Sequence, residues 1–124
     1  MISEAKSKLN MADFLVQKDK DYLPGAMKHI VQSALIVIKA LTKMDDKSAG
    51  SPQLVKTALG RMKQPTVDEF SKEFVKIWEL SGKTNLNSSE VSKALNKVRI
   101  FANWVEEELI KDEDEKNNSG EASS

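Results

Sequence analysis

The sequence predicts an all-α protein, an up-and-down bundle of about five helices that is followed by a disordered acidic tail. Apolar residues recur at spacings of three and four through most of residues 3–109, which is the helical period. Prolines and capping signatures divide these stretches into separate helices, and strand-type alternation and long heptad repeats are absent. Because the chain has 124 residues and is 40% hydrophobic, we expect one folded domain, residues 1–111, and a tail, residues 112–124.

The first two predicted helices differ in how apolar they are. Residues 3–20 carry one apolar face and form the first helix. Asp21 is the expected N-cap of the second helix, with Pro24 in its first turn, where the missing N–H has no cost. This helix extends to about Lys43 and is apolar around most of its circumference. We therefore expect it to be central and to pack on more than one side.

The third helix is bounded by turn residues and prolines. Residues 44–50 are polar and read as a turn-rich loop. Ser51 and Pro52 then supply an N-cap and a first-position proline. Pro65 prevents a clean continuation, because the residue before a proline is pushed out of helical geometry.

Two capping signatures open the last two predicted helices. Residues 66–69 read Thr-Val-Asp-Glu, a capping box, and the fourth helix is expected to end near Gly82. Residues 87–90, Asn-Ser-Ser-Glu, repeat the signature and open a fifth helix that ends near Leu109. The connections are short, so successive helices are expected to pack antiparallel.

The zero net charge conceals an uneven distribution. Residues 1–105 contain 17 Lys or Arg and 11 Asp or Glu, whereas residues 106–124 contain 2 and 8. From Asp112 the only apolar residue is Ala122, too little to offset the entropy of ordering. The basic body could attract RNA, with the acidic tail competing for the same face. The favoured interpretation, because the chain has no dense basic cluster, is a solvated lysine-rich surface with a solubilising tail.

Candidates for catalysis are few. The chain has no cysteine, and its only histidine, His29, has Ala26 where a helical carboxylate–histidine metal motif needs an acid. Glu69 and Glu73 are interleaved with lysines, as on an ion-paired outer surface, and the glycines are too scattered for a phosphate loop. We predict no catalytic residue, no cofactor and no metal, and hence no enzyme.

The sequence also indicates the cellular compartment of the protein. Its first residues are polar and unlike a signal peptide, and its longest apolar run, residues 34–38, is far shorter than the roughly 20 residues of a membrane span. The lack of cysteine suits a reducing environment. We expect a cytoplasmic protein that does not enter the membrane.

Three aromatic residues are the candidates for an interface: Trp78, Phe101 and Trp104. Each lies in an apolar helix face, and tryptophan is enriched where partners bind. Trp104 is placed toward the edge of its helix's apolar stripe and is the better candidate for an exposed contact. The alternative is that these side chains belong to the core.

Three stretches resemble the HEPN superfamily of small helical bundles: residues 4–12, residues 26–41 with a late Lys-Ala-Leu, and residues 89–105. Nuclease members of that family carry an Arg-x4-His motif where two protomers meet, and they cleave RNA without metal. Here Thr66 stands at that spacing from Arg61, and Trp104 from Arg99. The resemblance therefore implies a catalytically inactive member that dimerises through late helices and binds a protein partner or RNA.

Overall fold

The computed structural model describes the backbone of residues 2–123 and the side chains of residues 2–113. Within these residues the regular structure is entirely helical, which confirms the all-α class. A 3-10 turn occupies Lys20–Tyr22, and the α-helices are α1 (Ile2–Val16), α2 (Leu23–Thr42), α3 (Asp46–Ala49), α4 (Pro52–Gly60), α5 (Pro65–Ser81) and α6 (Ser88–Ser123).

The boundary between the first two helices differs from the prediction. Helix α1 ends at Val16 rather than at Lys20. Asp21 lies inside the 3-10 turn, and Tyr22 occupies the N-cap position of α2 without a side-chain capping bond. The prediction of Asp21 as the cap was wrong, because the turn continues directly into α2 and places the aspartate one residue too early.

The stretch expected to be a loop contains a one-turn helix, α3. The Asp45 carboxylate accepts a hydrogen bond from the backbone N–H of Ser48 at 2.7 Å. This bond to the backbone lowers the pKa of Asp45 below its ordinary value. Four residues are too few to show an apolar period, so the capping aspartate is the only local signal for this helix.

The starts of α4 and α6 follow the predicted N-caps, whereas the start of α5 does not. Ser51 accepts from the N–H of Leu54, and Asn87 accepts from the N–H of Glu90 at 2.8 Å, which confirms both N-caps. Thr66 is not a cap, since α5 begins one residue earlier at Pro65. Proline is favoured at the first helical position, and it holds the preceding residue extended, so it determines this start.

Helices α1 and α2 form a closely packed antiparallel pair. Their contact is lined by small, fully buried residues that include Ala5, Ala12 and Ser33. The Ser33 hydroxyl donates to the carbonyl oxygen of Ala5 at 2.8 Å, a bond that forms only when the two backbones approach closely. This close contact therefore fixes the register of α1 on α2.

Helix α6 returns along α1. Lys6 pairs with Glu106 at 2.7 Å, and Arg99 pairs with Asp13 at 3.9 Å, so the earlier residue of α1 meets the later residue of α6. The two helices are therefore antiparallel. The buried stripe of α6 also packs on α2, which contacts α4 and α5 as well and is central, as predicted. The largest fully buried side chains are Phe74, Leu9, Leu23, Met27, Ile30, Ile38 and Leu59.

The end of the chain departs from the predicted boundary. Helix α6 is continuous to Ser123 rather than ending near Leu109. The side chains of most of the predicted tail, from residue 114 onward, lie outside those that the structure describes. The disorder of residues 112–124 and the domain boundary at residue 111 therefore stay predictions. In residues 2–123 no helix has both the length and the apolar character to span a membrane.

Candidate interaction surface on α5 and α6

An open, largely apolar groove of about 240 Å3 lies between α5 and α6. We call it the α5–α6 groove; its lining residues are Thr66, Glu69, Phe70, Glu73, Lys97, Ile100 and Phe101. The two helices run antiparallel, because Phe70 lies against Phe101, whereas Glu73, later in α5, pairs with Lys97, which is earlier in α6. The buried rings of Phe70 and Phe101 lie at the floor of the groove.

Aromatic stacking forms the floor. The rings of Phe70 and Phe101 are nearly parallel, with an angle of 5° and a centroid separation of 3.8 Å. Trp104 continues the stack, 6.0 Å from Phe101 and inclined by 16°. Such pairs contribute about 0.5–1.5 kcal/mol each beyond the area they bury. The stack therefore holds α5 to α6 and gives the groove a rigid base.

An ion pair crosses the groove between Glu73 of α5 and Lys97 of α6, and Lys76 lies 3.8 Å from the same carboxylate. The hydrogen bond from Lys97 lowers the pKa of Glu73 below its ordinary value, and burial opposes this effect. The pair ties the two helices together on the solvent side of the aromatic floor. It also confirms the ion-paired character that the sequence predicts for this carboxylate.

Ile100 is the most exposed of the large apolar side chains in the part of the chain that the structure describes, at 68%. It lies on the rim of the groove, beside Phe101. Sequence reasoning missed it, because Ile100 is two positions from the core residue Val98 and so about 200° around the helix. The available signal was an isoleucine on the otherwise polar face of an amphipathic helix.

The structure separates the three residues predicted for an interface. Phe101 is 2% exposed and forms the groove floor. Trp104 is half-buried at the end of the stack and packs against the core, and it is not among the exposed apolar side chains of the described residues. Trp78 is also half-buried, but its ring packs on Phe74 at 5.8 Å, and it does not line the α5–α6 groove.

Other candidates for chemistry among the described residues are groups that could hold a metal ion and the single histidine. Among residues 2–113 no three His, Asp or Glu side chains are grouped so that they could hold a metal ion. His29 lies partly buried on α2, and its Nδ1 has no hydrogen-bond partner. The groove has a hydrophobic floor and one ion pair, an arrangement that can bind an apolar side chain.

Comparison of the chain with protein-family models, with curated proteins and with solved structures found no match in any of the three.

Replacing Glu73 with glutamine removes the cross-groove ion pair. We expect the free energy of unfolding at pH 7 to fall by about 0.5 kcal/mol, since the pair is partly exposed. The folded-state pKa is lowered, so the contribution is present above the ordinary glutamate pKa of 4.5 and is lost as the pH falls through the folded-state value. The difference from wild type should therefore shrink below pH 4.5.

Urea denaturation of both proteins between pH 3 and pH 8 measures this difference. Glu69→Gln is the matched control, because Glu69 lines the same groove but has no ion pair among the described residues. An equal loss of stability in the two variants, or a difference independent of pH, would contradict the assignment.

Proposed function

We propose that the chain is a non-catalytic helical interaction module that acts as a homodimer. Its contact surface is the outer face of α6 together with the α5–α6 groove. The observation that carries the proposal is the exposed Ile100, which lies beside a preformed apolar groove. Burying an isoleucine side chain stabilises a complex by about 1.5–3 kcal/mol, and a symmetric interface buries two.

The position of the exposed Ile100 on the rim of the groove supports a second copy as the occupant. In a two-fold dimer each Ile100 lies opposite the same surface of the other protomer, so it can contact the aromatic floor there. Trp104 adds a half-buried aromatic side chain that stacks on Phe101 outside the groove lining. Aromatic residues in well-packed central positions are the usual energetic anchors of an interface.

The resemblance to the HEPN superfamily agrees with this proposal. It implies a helical bundle that dimerises through late helices, and the chain lacks the Arg-x4-His motif of the nuclease members. We therefore propose an inactive HEPN-like scaffold. A chain without cysteine suits the reducing cytoplasm, where we propose that it works.

Ile100→Asp should convert the dimer to a monomer. An aspartate at the centre of the contact loses the apolar burial and leaves a charge without a partner, so the dimer dissociation constant should rise by at least about 10-fold. Sedimentation velocity across a range of protein concentrations measures it. Because Ile100 is exposed in the protomer, helicity should stay unchanged, and so should thermal stability when both proteins are compared at concentrations at which they are monomeric.

Leu54→Asp is the matched control, because Leu54 is a 51% exposed apolar residue on α4, away from the groove. Trp104→Glu should also dissociate the dimer, but it removes a ring that stacks on Phe101 and so should lower protomer stability as well. A wild-type chain that stays monomeric at high micromolar concentration would contradict the proposal.

The alternative function is RNA binding by the basic body, supported by the excess of 17 Lys or Arg over 11 Asp or Glu in residues 1–105. If this function holds, the affinity for a single-stranded RNA should fall steeply with salt, because phosphate contacts release counterions. Removing residues 112–124 should strengthen binding if the acidic tail competes. Fluorescence anisotropy at several salt concentrations measures both effects, and an absence of binding by either protein at low salt would contradict this alternative.

A further inference from the structure

The charges of α6 are segregated along its length. Residues 88–100 carry Lys93, Lys97 and Arg99 against Glu90, whereas residues 101–113 carry five acidic residues against Lys111. The acidic Glu90 in the first turn of α6 agrees with the helix dipole, but the dipole acts mainly on the terminal turns, and residues 93–113 lie between them. The helix dipole therefore does not account for the segregation of charge along residues 93–113.

Most of these charges have partners within the protomer. From Ser88 to Lys111, the pairs are Glu90 with Lys83, Lys97 with Glu73, Arg99 with Asp13, Glu106 with Lys6, and Glu108 with Lys111. In that stretch only Lys93 and Glu107 form no ion pair with the residues that the structure describes. Both are exposed.

These two residues are symmetrically placed about the exposed isoleucine. Lys93 precedes Ile100 by seven residues, and Glu107 follows it by seven. Seven residues correspond to about 10 Å along a helix and to nearly two full turns, so all three residues lie on one face. The outer face of α6 thus carries a positive charge, an apolar centre and a negative charge at equal spacings.

We propose that two copies of α6 pair antiparallel about a two-fold axis at Ile100, so that Lys93 of each protomer lies opposite Glu107 of the partner subunit. The inference rests on the proposed homodimer and adds its orientation and register. Antiparallel pairing brings the basic half of each α6 onto the acidic half of the other, twice by symmetry. Parallel pairing would place like charges together along both halves.

Charge exchange tests the register. Lys93→Glu and Glu107→Lys each create two like-charge contacts, so each should raise the dimer dissociation constant about 10-fold. The double variant Lys93→Glu/Glu107→Lys restores opposite charges and should return the constant to within about 2-fold of wild type. Sedimentation at low and high salt measures all three, and the effects should decrease as salt rises.

Mixing the two single variants gives the sharpest readout. A heterodimer of Lys93→Glu with Glu107→Lys has two opposite-charge contacts, so it should form in preference to either homodimer. Native mass spectrometry resolves the three species. The control mixture is Lys28→Glu with Glu79→Lys, which carries the same net charges at exposed positions on α2 and α5 and should show no such preference.

The outcomes separate the two proposals. Weakened single variants with a favoured heterodimer would support the register. A wild-type dimer whose Lys93 and Glu107 variants behave like the Lys28 and Glu79 controls would overturn the register and leave the homodimer standing. A monomeric wild-type chain would overturn both.

Discussion

Helix α6 has to pack against three other helices at once, and this constraint organises the molecule. Its buried stripe meets α1 and α2, and Phe101 on one flank stacks on Phe70 of α5. Because this stack is at the base of the contact, α5 and α6 leave an apolar groove above it instead of closing on one another. The remaining face of α6, with Ile100 at its centre, is left to solvent in the protomer. The same helix thus completes the core and presents the candidate interface.

The charged residues of α6 fall into two groups, those that contact neighbouring helices and those on the outer face, as its apolar residues do. Charges on its flanks pair with neighbouring helices: Arg99 and Glu106 hold α1, and Lys97 holds α5. Such partly exposed pairs contribute little stability each, but they set the orientation of the helices. On the outer face, Lys93 and Glu107 have no such neighbour among the described residues, and in the proposed dimer a second α6 supplies the complementary charges. Burial of Ile100 supplies affinity in the proposed dimer, and the charges supply register.

Local sequence signals predicted the fold class and some of the helix boundaries. Ser51 and Asn87 were identified as N-caps because capping is a bond between residues two or three positions apart. Thr66 was misassigned because the preceding proline competes for the helix start, and α3 was missed because one turn shows no period. The site was only partly predictable. The aromatic residues are visible in the sequence, but the stacking of Phe70 on Phe101 joins separate helices, and the exposure of Ile100 depends on how far α5 extends over α6.

The distance between two labelled α6 helices tests the central claim most directly. The chain has no cysteine, so a spin label can be attached at a single introduced cysteine. Suitable positions are Ser89 and Asn96, which are both exposed on α6. In an antiparallel pair centred on Ile100, the two labels are separated along the helix axis by about 33 Å at position 89 and about 12 Å at position 96. Pulsed electron paramagnetic resonance should therefore give a much longer distance for the first site than for the second. Equal distances at the two sites would indicate parallel helices and contradict the account, as would the absence of any dipolar coupling between protomers.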